Sequence, residues 1–508
     1  MNPQTDSNLF RSFFSGNSKI QTVLDLIDAE YIEDVDIDSI TEAMMPKILA
    51  NLDPHSVYIP AKDLQMVNED LEGSFSGIGV QFNIQQDTVM VVSVINGGPS
   101  EKMGVLAGDR IVAVDDSLFV GDSITNEQVI KKLRGEKGSV VKLGIKRRTA
   151  KKILYFTIKR DDVPVKSVDV SYMLTPEIGY IKVSNFGTQT YDEFLTAIAK
   201  LTHAGANKFV VDLRGNPGGF LDAAIAMINE FLKKGSLIVY TEGKSYPRKE
   251  AYADGYGSCK QKPIVILIDE WSASASEIFA GAIQDNDRGL VIGRRSFGKG
   301  LVQQQIPFND GSAVRLTIAR YYTPSGRSIQ KPYKKGDATD YENDILNRYL
   351  HGEFSTKDSI KMVDSLKFKT IGGRTVYGSG GVMPDIFVPK DTIGFTPYYN
   401  RVINEGLLYD FSLQYVDANR GQLKQFNKWQ TLLIYLEKQA VLDKFVSFSH
   451  KKGVYRNGRQ ISKSKLFLKK MLYAYIARGI LGDEAFYPIL NQDDACVREA
   501  TKQLTLKQ

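Results

Sequence analysis

The sequence predicts a multidomain protein of mixed α/β (α+β) class, with an α/β core between helical segments at both ends of the chain. Nearly continuous apolar runs such as residues 209–213 alternate with helical patterns mid-chain, as expected for a sheet that helices cover on both faces. Short β-runs separated by glycine turns come before this core. Apolar residues recur at helical spacing towards each end of the chain.

The composition is that of a folded globular chain and excludes several classes of protein. With 508 residues, 43% of them hydrophobic and 24% charged, the chain can form several domains and differs from disordered or coiled-coil sequence. A formal net charge of +6 over this length does not indicate a nucleic acid as partner. No apolar run approaches the roughly 18 residues of a membrane-spanning helix, so we expect no transmembrane segment.

The cysteines and histidines of the sequence do not indicate a metal or cofactor site. Two cysteines, Cys259 and Cys496, are too few for a disulfide framework or a four-cysteine zinc site, and whether they pair stays open. The four histidines lie far apart and in no metal-ligand spacing. We therefore expect neither a metal site nor a cofactor.

Residues 1–72 are expected to form a helical N-terminal region. The apolar residues at helical spacing are Ile20, Val23, Leu24 and Ile27. A second helix is expected over residues 40–52, before Pro54. Residues 1–19 interrupt their phenylalanines with polar residues, which is not typical of a signal peptide, so we expect no leader in this chain.

Residues 73–150 have the pattern of a small β-rich domain. Four β-runs surround one short and one longer predicted helix, and their order resembles that of a PDZ domain. Backbone N–H groups of a glycine loop can hold a terminal carboxylate, and the following strand edge can add the peptide as a further strand. The peptide-binding residues predicted on this basis are Gly77, Ile78, Gly79 and Val80. The alternative is that the two glycines only serve a tight turn.

Residues 151–394 are expected to form the α/β core, entered through a connecting segment over residues 149–165. The strand at 209–213 ends in a glycine loop that contains Gly218 and Gly219. Sites in such sheets lie at the carboxyl ends of the strands. Further strands, alternating with helices, are expected at residues 236–241, 263–269 and 290–293. A charged stretch of mixed pattern over residues 333–370 is interpreted as an insertion.

Residues 395–508 are predicted to be a helical C-terminal region, because leucine, tyrosine and lysine recur there at helical spacing. Within it, residues 451–470 carry eight lysines and arginines and no acid. This run favours a solvated helix and turn over a patch for an anionic partner.

A serine cluster marks the first half of a candidate catalytic site. Ser272, Ser274 and Ser276 lie between the strand predicted at 263–269 and a helix predicted at 277–284. A serine at a strand-to-helix turn stands where backbone N–H groups can stabilise an oxyanion, which is where acyl-transfer enzymes place a nucleophile. The alternative is structural, since the S-x-x-E spacing from Ser274 matches a helix capping box.

The second half is a lysine between two glycines. Residues 293–299 match the start of a phosphate-binding loop, G-x-x-x-x-G-K, but Gly300 replaces the serine or threonine that would hold magnesium, and an extended segment follows. These differences argue against a nucleotide site. Lys299 lies among apolar residues, and burial that lowers a lysine's pKa allows it to act as the base for a serine.

Together these segments resemble the carboxyl-terminal processing (tail-specific) serine proteases. The motifs LDPHSVYI, GIGV, VVDLRGNPGG, SASASEIFAGAIQD, GKGLVQ, YYTPSGRSI and GVMPDI follow one another in the family's order over about residues 20–390. The resemblance implies that Ser274 is the nucleophile and Lys299 the base, 25 positions later. It also implies that Gln303 orients the lysine, and that the Ala275 N–H forms an oxyanion hole with Gly218 or Gly219.

The same resemblance implies a serine endopeptidase that cleaves protein substrates at or near their C-terminal regions, with the PDZ domain binding the tail and gating the site. It further implies a periplasmic or cell-envelope location. We expect contacts between copies of the chain, if it is a homo-oligomer, through the terminal helical regions. The alternatives are an inactive PDZ scaffold and a serine hydrolase that does not cleave peptides.

Overall fold

The computed structural model describes residues 19–72, 74–85, 87–95, 97–121, 123–360 and 364–506. The first 18 residues, on which the expectation of no leader rests, lie outside them. The chain divides into two compact units. One contains the residues up to 65 with 303–318 and 332–344, and the other contains 66–302, 319–331 and the residues from 345 onward.

The N-terminal region contains helices and a short strand. The elements before residue 73 are α1 Lys19–Glu30, α2 Ile37–Leu49, β1 Val57–Ile59 and α3 Ala61–Glu72. The Asp36 side chain caps α2 by accepting hydrogen bonds from the second and third N–H groups of the helix. Asp53 accepts from the N–H and hydroxyl of Ser56 and from the hydroxyl of Thr317, and β1 pairs antiparallel with residues 313–315.

The β-rich domain has a sheet in the order β3-β4-β5-β7-β8. Its elements are β2 Ser74–Gly77, β3 Val80–Gln85, β4 Thr88–Val94, α4 Pro99–Lys102, β5 Arg110–Val114, β6 Ser117–Leu118, α5 Asn126–Leu133, β7 Val140–Lys146, β8 Leu154–Lys159 and β9 Asp161–Pro164. Residues 149–165, expected to be a connecting segment, instead contribute β8 and β9. Apolar residues alternate with polar ones in β8, which pairs with β7 at the edge of the sheet.

The core sheet has the strand order β10-β11-β12-β15-β16-β21, in which the last strand, β21, is Ile386–Phe387. The elements from residue 168 to residue 293 are β10 Val168–Met173, β11 Ile178–Val183, α6 Thr190–His203, β12 Lys208–Asp212, α7 Leu221–Asn229, β13 Leu237–Glu242, β14 Lys249–Tyr252, β15 Ile264–Ile268, α8 Ala275–Asp285 and β16 Leu290–Gly293. Its strands pair in parallel except for β10, which is antiparallel to β11. All residues of β12 and β15 are buried, as the continuous apolar runs predicted.

A hairpin, several short elements and the last core strand follow. They are β17 Leu301–Pro307, β18 Ala313–Tyr322, α9 Thr339–Glu342, α10 Asp344–Leu350, 3₁₀ turns at Lys357–Ser359 and Asp364–Leu366, β19 Lys367–Lys369, β20 Thr375–Tyr377 and β21 Ile386–Phe387. The segment interpreted as an insertion, residues 333–370, thus contains two short helices and the start of a second hairpin.

The C-terminal region is helical, as predicted. Its elements are α11 Pro397–Asn404, α12 Leu407–Leu423, α13 Trp429–Glu437, α14 Val441–Lys451, α15 Gly458–Leu481, α16 Asp483–Asn491 and α17 Ala495–Leu506. Helices α11–α16 surround an apolar cluster of their own, in which Phe445, Leu468 and Leu472 are fully buried. No helix in the described ranges is both long and apolar enough to cross a lipid bilayer.

The last helix completes the core. Helices α6, α7 and α8 cover one face of the core sheet, where Phe194, Phe231 and Phe279 are fully buried. Helix α17 packs on the other face, where Leu504 belongs to one apolar cluster with Val210 of β12. The predicted α/β class with helical ends is confirmed. The boundaries of the four predicted domains stay a prediction.

We expect Leu504→Ala to lower the free energy of unfolding by about 2–4 kcal/mol, because it opens a cavity beneath α17. Leu506, two residues later, is 68% exposed, and Leu506→Ala should change stability by less than about 0.5 kcal/mol. Urea unfolding followed by circular dichroism measures both. Equal effects of the two substitutions would contradict the packing of α17 on the sheet.

Candidate active site

Ser274 stands at the turn between β15 and α8, one residue before the helix begins. Its φ of +55° and ψ of −116° are unusual for a residue with a side chain, and its exposed fraction is only 9%. Such a conformation persists only where the surroundings impose it, and it is the arrangement of a serine nucleophile on a strand-to-helix turn.

The two neighbouring serines, Ser272 and Ser276, connect this turn by hydrogen bonds to the end of β12 and to the glycine loop. The Ser272 hydroxyl donates to the Leu213 carbonyl at 2.8 Å, and the Ser276 hydroxyl donates to the Asn216 carbonyl at 3.0 Å. Both serines are fully buried. Their contacts are those of structural residues.

The glycine loop lies directly against Ser274. A Cβ atom built on Gly218 would come within 2.7 Å of the Ser274 Cβ, so a larger residue cannot stand there. The Asn216 side chain shapes the loop, since its Nδ2 donates to the Val183 carbonyl at 3.1 Å and its Oδ1 accepts from the Gly218 N–H at 2.8 Å. The loop therefore reaches the serine because its own asparagine anchors it to the sheet.

The oxyanion hole is predicted to consist of two backbone N–H groups, that of Ala275 and that of Gly218 or Gly219. The Ala275 N–H is in the first turn of α8 and has no acceptor within the helix. The Gly218 N–H is already donated to Asn216, whereas the Gly219 N–H has no hydrogen-bond acceptor among the described residues.

A buried carboxylate joins two turns of the chain. One is the turn between β15 and α8 that carries Ser274, called the serine turn, and the other is the turn at residues 295–300 that carries Lys299, called the lysine turn. Oε1 of Glu277 accepts from the Ser296 hydroxyl at 2.5 Å and from the Gly298 N–H at 2.7 Å. Oε2 accepts from the Lys299 N–H at 2.8 Å and from the Ser274 N–H at 2.9 Å. The backbones of Ser274 and Lys299 thus meet at one oxygen of Glu277, which has no exposed surface.

Burial raises the pKa of Glu277 to about 7, against the opposing effect of hydrogen bonds from Ser296, Lys299, Gly298 and Ser274. Near neutral pH this carboxyl therefore exchanges between its charged and neutral forms. The charged carboxylate can accept all four hydrogen bonds. In the protonated form one oxygen carries an O–H group, which is itself a donor and needs an acceptor. The junction between the two turns is strongest when Glu277 is ionised.

Other contacts fix the lysine turn. The Phe297 N–H donates to the Ser272 carbonyl at 2.9 Å, and the Gly300 N–H donates to Oε1 of Gln330 at 2.8 Å. The Lys331 N–H donates to the Gly298 carbonyl at 2.9 Å. The turn then enters β17 and not a helix, which agrees with the sequence argument against a phosphate-binding loop.

Gln303 lies on β17, in the first unit. Its side-chain nitrogen donates to the backbone carbonyl of His55, and the His55 ring nitrogen Nε2 lies 2.6 Å from the Tyr341 hydroxyl. The predicted role of Gln303 in orienting Lys299 stays a prediction.

The predicted peptide-binding loop precedes a strand edge that pairs with no other described strand, and its binding role stays a prediction. Gly79 has a φ of +75°, and its carbonyl accepts from the Ile95 N–H at 3.0 Å. Strand β3 pairs only with β4 among the described strands, so its other edge is available. This edge, with Ile130 and Leu133 of α5, lines a cleft of about 1520 Å³ that helices of the C-terminal region also border.

Sequence reasoning missed the second contact of Glu277 and the part that Ser296 plays. The S-x-x-E spacing correctly indicated a contact from Glu277 back to the Ser274 N–H. The contact with residues 296–299 joins positions about twenty apart in the chain, and no local pattern in the sequence indicates it.

Comparisons with known proteins agree with the motifs. A sequence model of peptidase family S41 matches residues 177–342, a PDZ domain model matches residues 76–166, and a model of a family of unknown function matches residues 398–482. A carboxy-terminal-processing protease of Bartonella bacilliformis is 37% identical over 313 residues, which cover 61% of this chain and 71% of that protein.

A second relative, carboxy-terminal processing protease CtpB of Bacillus subtilis, is 34% identical over 316 residues, which cover 62% of this chain and 65% of that protein. Among solved structures, the photosystem II D1 C-terminal processing protease is 24% identical, with a TM-score of 0.38, over 73% of this chain and 92% of that one. The family predicted from the motifs is thereby confirmed: the chain belongs to the carboxy-terminal-processing proteases of peptidase family S41.

Proposed function

We propose that this peptidase is a serine endopeptidase in which Ser274 is the nucleophile and Lys299 the general base. The observation that carries the proposal is the shared contact of both residues with Glu277, because it brings together two segments that are 25 positions apart in the chain. The strained backbone of Ser274 and the two N–H groups beside it supply the other parts of an acyl-transfer site.

In the first half of the reaction the Ser274 hydroxyl attacks the carbonyl carbon of the scissile peptide bond and gives its proton to the neutral amine of Lys299. The Ala275 and Gly219 N–H groups stabilise the oxyanion of the tetrahedral intermediate. The resulting ammonium of Lys299 protonates the leaving amine, and the peptide bond breaks. Lys299 then takes a proton from the water that attacks the acyl-serine ester and returns it to the Ser274 oxygen as the ester C–O bond breaks, so that the carboxylic acid product leaves and Ser274 is regenerated.

The same proposal assigns the orientation of Lys299 to Gln303, four residues later in the chain, following the pattern of the family. A lysine base needs a fixed position and a poorly hydrated setting, because hydration favours the ammonium form. The contacts of the lysine turn with Ser272, Gln330 and Glu277 supply the fixed position.

The PDZ domain is proposed to bind the C-terminal tail of the substrate and to gate access to Ser274. The loop formed by Gly77, Ile78, Gly79 and Val80 would hold the terminal carboxylate, and the open edge of β3 would pair with the residues before it. Carboxy-terminal-processing proteases among the relatives act, by their names, at this end of their substrates. Those relatives are bacterial, and we propose a periplasmic or cell-envelope location for this chain.

Ser274→Ala and Lys299→Ala should each reduce the cleavage of an unfolded protein substrate by at least about a thousandfold, since each removes one partner of the proton transfer. Mass spectrometry of the fragments, together with circular dichroism of the variants, measures activity and folding. A folded Lys299→Ala variant with near wild-type turnover would contradict the dyad. A serine-reactive probe that does not label Ser274 would favour an inactive scaffold, and turnover of esters alone would favour a non-proteolytic hydrolase.

Glu277→Gln should lower kcat by at least about tenfold at pH 8, because the amide nitrogen would face donor groups where the carboxylate accepts them. In the wild type, kcat should fall as the pH drops through about 7 and Glu277 takes up a proton. The matched control is Glu193→Gln, since Glu193 also accepts from two backbone N–H groups, those of Ser167 and Val168. An equal loss of kcat in both variants would contradict a specific role of Glu277.

The free energy of unfolding should fall as the pH rises from 4.5 to about 7, because of Glu277. The folded state raises the pKa of Glu277 from 4.5 to about 7, so between these values the folded protein holds a proton that the unfolded chain releases. The contribution of Glu277 to stability is therefore present below pH 4.5 and is lost as the pH rises to about 7, because the cost of burying the ionised carboxyl exceeds the gain from its four hydrogen bonds. Urea unfolding of the wild type and Glu277→Gln across this range measures it, and identical pH profiles would contradict the assignment.

A peptide with a free C-terminal carboxylate should bind the Ser274→Ala protein at least about tenfold more tightly than the same peptide with an amidated end, as measured by calorimetry. Gly79→Ala should weaken this binding, because the loop backbone has a φ of +75° there. Gly97→Ala is the control for backbone strain, since Gly97 has a φ of +78° and space for a Cβ. Equal affinities for the two peptides would exclude carboxylate recognition.

A further inference from the structure

We propose that Arg348, in the segment inserted at residues 333–370, is a positioning residue that holds the lysine turn in its active shape. The inference rests on the proposed role of Lys299. Arg348 lies beyond residues 177–342, the part of the chain that the S41 family model matches. The insertion would thereby contribute to the reaction without touching the substrate.

The guanidinium of Arg348 binds two consecutive carbonyl groups just before the lysine. Nη1 donates to the Ser296 carbonyl at 3.0 Å, and Nη2 donates to the Arg295 carbonyl at 2.7 Å. The third nitrogen, Nε, donates to Oε2 of Glu353 at 3.2 Å, and the same oxygen accepts from Nη2 of Arg295 at 2.7 Å. All three nitrogens of the planar guanidinium thus donate hydrogen bonds. A lysine has a single nitrogen and cannot reproduce this arrangement.

Ser296 connects this contact to the catalytic residues. Its carbonyl accepts from Arg348, while its hydroxyl donates to Glu277 at 2.5 Å and accepts from the Val382 N–H at 2.6 Å. Glu277 in turn accepts from the N–H groups of Lys299 and Ser274. A continuous path of hydrogen bonds therefore leads from the insertion to both members of the proposed dyad.

The packing of α10 indicates that the hydrogen bonds of Arg348 to the lysine turn help to determine where the helix lies. Arg348 is the one buried residue of α10, with an exposed fraction of 4%. Three apolar residues of the helix, Leu346, Tyr349 and Leu350, are 54%, 55% and 69% exposed, while Ile345 is partly buried. A surface helix normally buries its apolar face and leaves its charges in water. In α10 the arginine is the one buried residue and most of the apolar side chains are exposed, so the charged contact with the lysine turn helps to position the helix.

Burying a guanidinium is costly unless every donor direction is satisfied, and here two backbone carbonyls and one carboxylate satisfy them. The carbonyls of Arg295 and Ser296 must point the same way to share one guanidinium. Arg348 therefore selects one backbone conformation for residues 295 and 296. Because Lys299 follows three residues later, loss of that conformation displaces the lysine, and small displacements of a catalytic group lower kcat.

Arg348→Lys and Arg348→Ala test the inference, with kcat and KM measured on one peptide substrate. We expect kcat to fall about tenfold in Arg348→Lys and further in Arg348→Ala, with KM within about twofold of wild type. Labelling of Ser274 by a fluorophosphonate should slow in proportion to kcat. Millimolar guanidinium should restore part of the kcat of Arg348→Ala, because it can occupy the vacated site. A purely structural arginine would alter stability and leave these readouts unchanged.

Arg374→Lys is the matched control. Arg374 follows the insertion and also bonds two carboxylates and a carbonyl, those of Asp287, Asp385 and Gln284, but at the far end of α8. We expect Arg374→Lys to lower the thermal midpoint and to leave kcat unchanged. Rates are divided by the folded fraction from circular dichroism and measured at 15 °C, so that partial unfolding of any variant cannot mimic the effect.

The outcomes separate this inference from the proposed function. If Ser274→Ala and Lys299→Ala are inactive while both Arg348 variants keep wild-type kcat, the inference is overturned and the dyad stands. If Ser274→Ala or Lys299→Ala keeps its activity, the proposed function itself fails. If neither Arg348 variant folds, Glu353→Gln decides, since it leaves both carbonyl contacts in place and should lower kcat about threefold. Wild-type kcat in a folded Glu353→Gln would then overturn the inference.

Discussion

The carboxylate of Glu277 accepts hydrogen bonds from two separate turns of the chain, and the rest of the candidate site depends on that constraint. No exposed surface remains to hydrate it. Its hydrogen-bond donors among the described residues are three backbone N–H groups and one hydroxyl, none of them a charged group. A buried carboxylate held in this way requires every donor in place, because each missing hydrogen bond leaves part of the charge unsatisfied. The requirement fixes the serine turn and the lysine turn against each other.

The glycine loop meets a different requirement, that of close approach. Gly218 lies so near Ser274 that any Cβ would collide with it, and Asn216 keeps the loop there by bonding both the sheet and the loop's own N–H. The N–H of Gly219, the next residue of the loop, has no hydrogen-bond acceptor among the described residues. Steric exclusion thus places the loop, while hydrogen bonding to Glu277 places the two turns.

The sequence predicted those parts of the structure that local patterns determine. Continuous apolar runs identified the buried strands at 209–213 and 263–269, and the glycine and serine motifs identified Ser274 and Lys299 as candidates. It did not predict the role of Glu277 at the lysine turn, since the partners are distant in the chain and only folding brings them together. The charged pattern of residues 333–370 likewise gave no sign that Arg348 would be buried, because an arginine among polar residues normally lies in water.

Helix α17 has a consequence for how the protein is made. The strands whose face it covers, including β12 and β15, are synthesised well before Ala500 and Leu504. Until the helix is available, apolar residues such as Val210 and Leu267 on that face have no covering layer, and the sheet that carries the serine turn is incomplete. The α/β core therefore becomes complete only after α17 has been synthesised.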